Sequence, residues 1–393
     1  METIRFAIVG MGNQGSLYAN IITGRPHPGK PPIPRPENCT LTAVCDSRPN
    51  VLDIASELGV RGFTDWKAMI ASGCCDAVIL TVPHFLHHEI GIFALKHHVH
   101  VLCEKPAGVR ASDVRQLLQT RDETGGALAM MFQQRTNPLF HSLKTLLDSG
   151  ELGRLRRCNW IVNHYWRPDS YYVSGAWRGT WQGEGGGLLV NQLPHYLDLW
   201  LYLCGKPRQL YACNRTGAHR NIQVENDVTV LAEYPDGATG VFVACTHDPM
   251  GTDRLELDLD QGKIIVENSN QATIFRFAQS EDQWNQSLSF PQMQHLQQEP
   301  ERHHDTQIIT SQVPFGEGYS RLITNFAAHI LNGTPLIATG EDGLAQVELA
   351  NAIYLSGWTR QAVQLPCVDS EYDTLLTMHM AQEQTLEEGR KTK

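Results

Sequence analysis

Ile4-Arg5-Phe6-Ala7-Ile8-Val9-Gly10-Met11-Gly12-Asn13-Gln14-Gly15 is the stretch that decides the fold of this chain. An apolar run of strand length opens into Gly-x-Gly-x-x-Gly, and a helical pattern continues to about Thr23. Gly10 permits the tight turn out of the strand, Gly12 lets backbone approach a pyrophosphate, and Gly15 lets the helix pack on the strand. The helix that starts at Asn13 and Gln14 turns unbonded N–H groups and partial positive charge toward an anion. The stretch predicts the first βα turn of a dinucleotide-binding sheet.

Working outward, the next strand, Leu41–Cys45, ends in Asp46, followed by Ser47 and Arg48. A carboxylate there accepts hydrogen bonds from ribose hydroxyls, which favours NAD. Arg48 keeps NADP open as the lesser alternative, because an arginine at this place can hold a 2′-phosphate. The acid lies further from the glycines than usual because the proline-rich stretch Gly24–Asn38 interrupts, and that composition predicts a loop insertion.

The βα alternation continues. Strands at Asp76–Leu80, His100–Cys103 and Ala127–Met131 alternate with helical stretches reaching Lys96 and running from about Ser112 to Thr124. Such alternation implies a parallel, doubly wound sheet, with ligands at the carboxyl ends of its strands. Gly10–Gly15, Asp46, Thr81-Val82-Pro83 with His84 and His87 behind it, and Glu104-Lys105-Pro106 all fall on that edge. Four strand ends converging on one place carry more weight than any one motif.

The chain of 393 residues has room for two domains, read as 1–132 and 133–393. With 32 basic against 42 acidic residues, the net charge of −10 argues against nucleic acid and anionic membrane as partners. No apolar run is long enough to span a bilayer, and the first residues go straight into a strand pattern without a signal peptide, so the expected location is cytoplasmic. Ten scattered cysteines without a Cys-x-x-Cys pair read as buried small hydrophobes.

Further on stands Gly185-Gly186-Gly187-x-Leu189-x-Asn191-x-x-x-His195-x-x-Asp198. Together with Gly10–Gly15, Thr81-x-Pro83 and Glu104-Lys105-Pro106, it resembles the Gfo/Idh/MocA oxidoreductases, the family of glucose-fructose oxidoreductase and inositol dehydrogenase. The resemblance extends over nearly the whole chain, to a closing helix around Gly340–Trp358 and a strand at Ala362–Pro366. It implies an α/β protein: an N-terminal Rossmann domain, then a C-terminal α+β domain on an open, mostly antiparallel sheet whose free face makes oligomer contacts in a homodimer or homotetramer. The residues independently support strands there, in the alternation of Arg154–Trp166, in Val228–Tyr234 and Thr239–Ala244 around the turn Pro235-Asp236-Gly237, and in a hairpin of Leu255–Leu259 with Lys263–Val266.

The resemblance also implies an activity, NAD-dependent hydride transfer with a sugar, glycoside or inositol carbinol, and a role in carbohydrate metabolism. Lys105 and His195 are then the catalytic pair, with position 191 supporting them. Histidine titrates near neutrality and suits the proton transfer, while a lysine cation orients the hydroxyl and stabilises a developing alkoxide. Two departures stand out: the family pattern has Asp where this chain has Asn191, and Gly where it has Leu193. An amide cannot ionise, so control of the lysine must differ.

Between Arg154–Trp166 and the glycine run lie His164, Tyr165, Trp166, Arg167, Tyr171, Tyr172, Trp177, Arg178 and Trp181, where flat aromatic faces and planar donors suit a sugar ring. The same aromatics could equally pack a core or an interface. Gln134-Arg135 reads as cleft or as interdomain linker. His84 and His88 have helical i, i+4 spacing, but no third ligand is spaced to complete a metal site, so no metal is expected. Two rival activities remain: a redox-neutral glycosidase or lyase that oxidises its glycoside transiently, and a non-catalytic NAD(P)-sensing regulator. The polar segment Gln279–Gln312 reads as loop or interface covering, and Glu387–Lys393 as a disordered tail.

Overall fold

The computed structural model describes residues 2–298 and 303–391. The first sheet contains β1 (Ile4–Val9), β2 (Cys39–Cys45), β3 (Arg61–Phe63), β4 (Ala77–Leu80), β5 (His100–Cys103) and β6 (Leu128–Met130). Their order is β3-β2-β1-β4-β5-β6, and every pair is parallel. Alternate residues of each strand go to opposite faces, which is why the strands read as continuous apolar runs. Phe6 and Ile8 join the helix Asn13–Thr23 and Leu322, Ile323 and Phe326 of a much later helix, Glu317–Asn332. Ala7 and Val9 join the opposite layer, built with helices His87–Lys96 and Ala111–Thr124. The short edge strand β3, with Gly62 at its centre, has too few apolar residues to announce itself in the sequence.

The second sheet holds β7 (Leu155–Val162), β8 (Gln209–Thr216), β9 (Glu225–Glu233), β10 (Thr239–Cys245), β11 (Asp253–Leu259), β12 (Gly262–Glu267), β13 (Gln271–Phe277), β14 (His304–Thr310) and β15 (Val363–Gln364). The order is β14-β13-β12-β11-β7-β10-β9-β8-β15, antiparallel throughout except for β7 against β10. Helices Pro194–Cys204 and Gly340–Thr359 cover one face, with Trp200 stacked on Phe242 of β10. On the other face, Ile161, Tyr211 and Leu231 stay exposed.

The structure differs from the sequence expectations at several places. The strand expected over Arg154–Trp166 ends at Val162, and the chain leaves the sheet before Pro168, a residue that cannot donate to a ladder. The segment expected as loop, 279–312, contains helices Glu281–Ser287 and Phe290–Gln298 and strand β14, with 299–302 outside the described residues. Ser280 and Gln283 form a capping box that starts the first of these helices, so a local signal was present under the polar composition. The tail is helical in Asp369–Lys391, and the last two residues lie outside the described ones. Among the described cysteines Cys213 is exposed rather than buried, on β8. No described helix is long and apolar enough to cross a membrane.

Candidate active site

The glycine turn is shaped by sterics. Gly10 has φ +96°, and a Cβ there would stand 2.4 Å from the Thr81 carbonyl oxygen. At Gly15 a Cβ would stand 1.9 Å from the Gly10 carbonyl oxygen. Gly12 is the reverse: a Cβ would meet nothing within 4 Å, so this side of the turn is open. Asn13 and Gln14 are exposed beside it, and no side chain caps the helix that they begin. Two tight glycines and an open one leave backbone N–H groups facing free space of the kind a pyrophosphate fills. Thr81 braces the turn by donating its hydroxyl to the carbonyls of Val9 (3.0 Å) and Gly10 (2.6 Å).

Asp46 at the end of β2 accepts the Met11 N–H at 2.8 Å and is gripped by Arg48, whose Nε and Nη2 each stand 2.9 Å from a carboxylate oxygen. That guanidinium, working against partial burial, holds Asp46 down at about 2. Ser47 is exposed alongside. The residues fit an adenosine ribose, whose hydroxyls would share Asp46 with Arg48. Asp46→Ala is expected to weaken NAD binding by about 10- to 100-fold, the worth of hydrogen bonds to a charged acceptor, and to narrow the preference for NAD over NADP. Fluorescence titration with both dinucleotides measures it; unchanged affinity would remove Asp46 from the site.

At the next strand ends the groups become buried. Glu104 spends one carboxylate oxygen on the Tyr18 hydroxyl and the other on the Lys105 N–H at 2.9 Å, and burial raises its pKa. Lys105 is half-buried and donates from Nζ to the Asn191 carbonyl at 2.9 Å. Burial lowers its pKa while Glu104 and Glu184 pull the other way. His195 makes no hydrogen bond, and its Nδ1 is a buried orphan. Burial, then the charge of Lys105, holds its pKa well below the usual range, so the ring is neutral.

Pro83 is exposed, and just beyond it His84 points Nδ1 at the Glu184 carbonyl, 2.9 Å away, with its pKa driven down to about 3 by burial, His87 and Lys105. His87 is fully enclosed, its ring between the carbonyls of Pro106 (2.7 Å) and Val82 (3.0 Å), so it ties two site loops together and offers no open face. His88 turns toward Asp113, and among the described residues no three His, Cys, Asp or Glu side chains converge on one point.

The sequence candidates from the second domain separate into two groups. Asn191 contacts Glu184 through Nδ2 and reaches the Tyr171 hydroxyl at 3.4 Å. Arg178 donates to that hydroxyl at 2.6 Å, and Arg178 and Arg167 stand 4.5 and 4.9 Å from the Tyr171 ring centroid. These residues form one cluster with Lys105. Trp177 is exposed and packs under Arg178 at 4.4 Å. His164 and Tyr165 instead join Tyr196 in an aromatic group over Asp253. Trp181 is core, packed on Tyr354 and Trp358. Gln134 is half-buried in the turn after β6 and makes no side-chain hydrogen bond, while Arg135 is a buried tie to Asp198 and Asp342.

Three site residues had no sequence signal. Tyr319, from the helix Glu317–Asn332, stands edge-on to Tyr18 at 5.3 Å and feels Glu104. Tyr18 itself looked like an ordinary helix residue. Glu184, at the head of the glycine run, is 2 % exposed and sits among Asn191, Arg178 and Lys105.

A doubly wound nucleotide-binding sheet, with a half-buried lysine on its ligand edge and a second open sheet behind, is the architecture of a dinucleotide-dependent oxidoreductase. A model of the oxidoreductase family with an NAD-binding Rossmann fold matches residues 4–132, and a model of the Gfo/Idh/MocA C-terminal domain matches residues 140–265. The chain belongs to the Gfo/Idh/MocA family, and its first domain is the NAD-binding one. It is similar to a myo-inositol 2-dehydrogenase of Thermotoga maritima, 22% identical over 369 residues, covering 92% of this chain and 98% of the relative. It is also similar to a 2,7-anhydro-N-acetylneuraminate hydratase of Mediterraneibacter gnavus, 28% identical over 56% of this chain and 54% of that one. Among solved structures, the WlbA dehydrogenase of Chromobacterium violaceum, in complex with NADH and UDP-GlcNAcA, superposes with a TM-score of 0.75 at 26% identity, covering 93% of this chain and 97% of that one.

Proposed function

We propose that the chain oxidises a ring carbinol of a sugar, glycoside or inositol with NAD, His195 taking the hydroxyl proton and Lys105 orienting and polarising the oxygen. The observation that carries this is the junction at the end of β5, where Lys105 Nζ bonds to the Asn191 backbone beside a neutral, unpartnered His195. In the reaction the carbinol carbon gives up hydride and its hydroxyl gives up a proton, leaving a ketone. The bound nicotinamide supplies the hydride acceptor. A neutral imidazole with a free nitrogen is the form that accepts the proton. The lysine cation holds the oxygen while negative charge develops on it. Asn191, Tyr171, Arg167, Arg178 and Trp177 supply the donors, acceptors and flat face that a polyhydroxylated ring needs. The relative named for an inositol, and the solved structure in complex with UDP-GlcNAcA, support this substrate class.

Absorbance of reduced nicotinamide, followed while a panel of inositols, sugars and aryl glycosides is offered with NAD, tests the proposal. Growth of the signal with one ring substrate supports it. The hydratase relative favours a second reading, redox-neutral chemistry, which the same assay would show as product formed without net NADH. NAD binding with no turnover at all would favour a regulator.

We also infer that the exposed face of the second sheet is a contact in a homodimer or homotetramer, because Tyr211 and Leu231 pair across β8 and β9 and Ile161 lies on the same face of β7, all three exposed in the single chain. Leu231→Asp is expected to reduce the particle mass measured by light scattering to that of a smaller assembly. An unchanged mass places the contact elsewhere.

A further inference from the structure

The position where the family pattern carries a carboxylate is an amide here, yet the site has not lost its acid. The Glu184 carboxylate lies against Asn191 Nδ2, and its other oxygen accepts the Gly179 N–H at 2.8 Å. A carboxylate in its ionised form only accepts, so the group that Asn191 turns toward it must be the NH2. That leaves Asn191 Oδ1 as an acceptor with no protein partner. The Tyr171 hydroxyl, held by donors from Arg178 (2.6 Å) and Gln192 (3.2 Å), is the second acceptor near Asn191 Nδ2, at 3.4 Å, so both protein contacts of the amide fall on its NH2 end. The backbone of Glu184 is committed too, its carbonyl facing His84 Nδ1 at 2.9 Å.

We propose that Glu184 is the positioning carboxylate of this active site, replacing from seven residues upstream the acid missing at position 191: it aims Asn191 Oδ1 at a substrate hydroxyl and places a negative charge beside Lys105. The proposal rests on the dehydrogenase reading for its effect on rate, but not for its effect on Lys105. The charged and titratable groups around the pair come from every neighbouring element. Glu184 faces Arg178 and Lys105, and Lys105 faces Glu104, Glu184, His84, His87 and His195. Burial pushes Glu184 up to about 7, and the Gly179 N–H, Asn191, Arg178 and Lys105 work in the opposite direction. Its charge is therefore present above neutrality and withdrawn below it, so the rate should fall toward acid pH as Glu184 takes up a proton.

The test compares Glu184→Gln, Asn191→Asp and the double exchange, each with NAD bound. Two readouts are used: the pH midpoint of Lys105 acetylation by mass spectrometry, and the single-turnover rate of nicotinamide reduction by the ring substrate found above. Glu184→Gln is expected to lower the Lys105 midpoint by roughly 1 pH unit, because a negative neighbour is gone, and to slow single turnover about 10- to 100-fold. The double exchange puts one carboxylate back at position 191 and is expected to recover most of both changes. A Lys105 midpoint that does not move in folded Glu184→Gln, or a double variant no better than the single, overturns the proposal and leaves Glu184 as a loop anchor. If the wild-type chain reduces no nicotinamide, the dehydrogenase reading fails while the acetylation midpoint still decides this one. Should Glu184→Gln not fold, Glu184→Asp is the second variant. It keeps the charge but draws back from Asn191, so the midpoint should hold and the rate should fall; a lowered midpoint overturns the role in charge.

Discussion

Lys105→Ala is expected to lower the turnover number by about 10³- to 10⁴-fold, toward the upper end of what positioned acid–base and electrostatic groups contribute. No neighbour can substitute. Arg178 is bonded to the Tyr171 hydroxyl, and Arg48 is on Asp46 at the other end of the cofactor edge. His195→Ala is expected to cost about 10²- to 10⁴-fold, and the double variant little more than the worse single, because the two act on one oxygen. The neutral state of His195 fixes the pH signature. With its pKa held below the ordinary value near ~6.5, it is in the form the proposed base needs throughout the neutral range, so any limb that it causes is expected on the acid side. Stopped-flow reduction of nicotinamide measures both variants. Rates within tenfold of wild type for Lys105→Ala would take the lysine out of the chemistry.

The cofactor edge was legible because its chemistry depends on local backbone. Gly15 must be a glycine because of the Gly10 carbonyl five residues earlier and Gly10 because of its own positive φ, with Thr81 adding a distant clash, and each functional strand end follows a run of buried apolar residues. Lys105 and His195 stood out only through motif context, since either alone is an ordinary residue. Tyr18 and Tyr319 were not legible, because their roles arise from contacts between segments far apart in sequence; Glu184 was missed although most of its partners are local, because a single acid at the head of a glycine run carries no spacing signal. No spacing rule links residue 18 to 104, or 104 to 319. The helices inside 279–312 were missed for another reason, in that polar composition outweighed a capping signal. For Trp181 the sequence left cleft and core equally open, and it is core in space.

Arg135→Leu is expected to have the largest effect on stability, a loss of about 3–5 kcal/mol. The guanidinium is forked onto Asp198, with Nε 2.9 Å from one oxygen and Nη2 2.7 Å from the other, and Nη2 also reaches Asp342 at 2.9 Å. Only 8% of the arginine side chain and 1% of the aspartate are exposed. Burial works against the arginine's charge, and Asp198 with Asp342 overcomes it, so the guanidinium stays charged; burial pushes Asp198 up to about 7, and the arginine is what draws it back toward ionisation. Removing the arginine strands a buried carboxylate. It also loosens Asp342, which caps the helix Gly340–Thr359 with Thr339. Urea unfolding should show the loss, and Arg135→Leu/Asp198→Leu should recover a large part of it, since two apolar groups leave no uncompensated charge. A double variant as unstable as the single would mean that packing of the arginine over Tyr202, 4.7 Å away, is what matters.

The helix Glu317–Asn332 has a consequence for how the molecule comes into being. Its Leu322, Ile323 and Phe326 seal the face of the first sheet that carries Phe6 and Ile8, and its Ser320 and Thr324 fasten the proline-rich insertion at Pro34 and Glu37. During synthesis, the nucleotide-binding half therefore emerges with that side covered only in part, by the helix Asn13–Thr23, and waits for nearly 200 further residues before the rest of its cover leaves the ribosome. Closure across that separation carries a large loop entropy. The two halves are thus neighbours in space but a single unit in time, and the nascent first half is the stage at which a chaperone has the most apolar surface to hold.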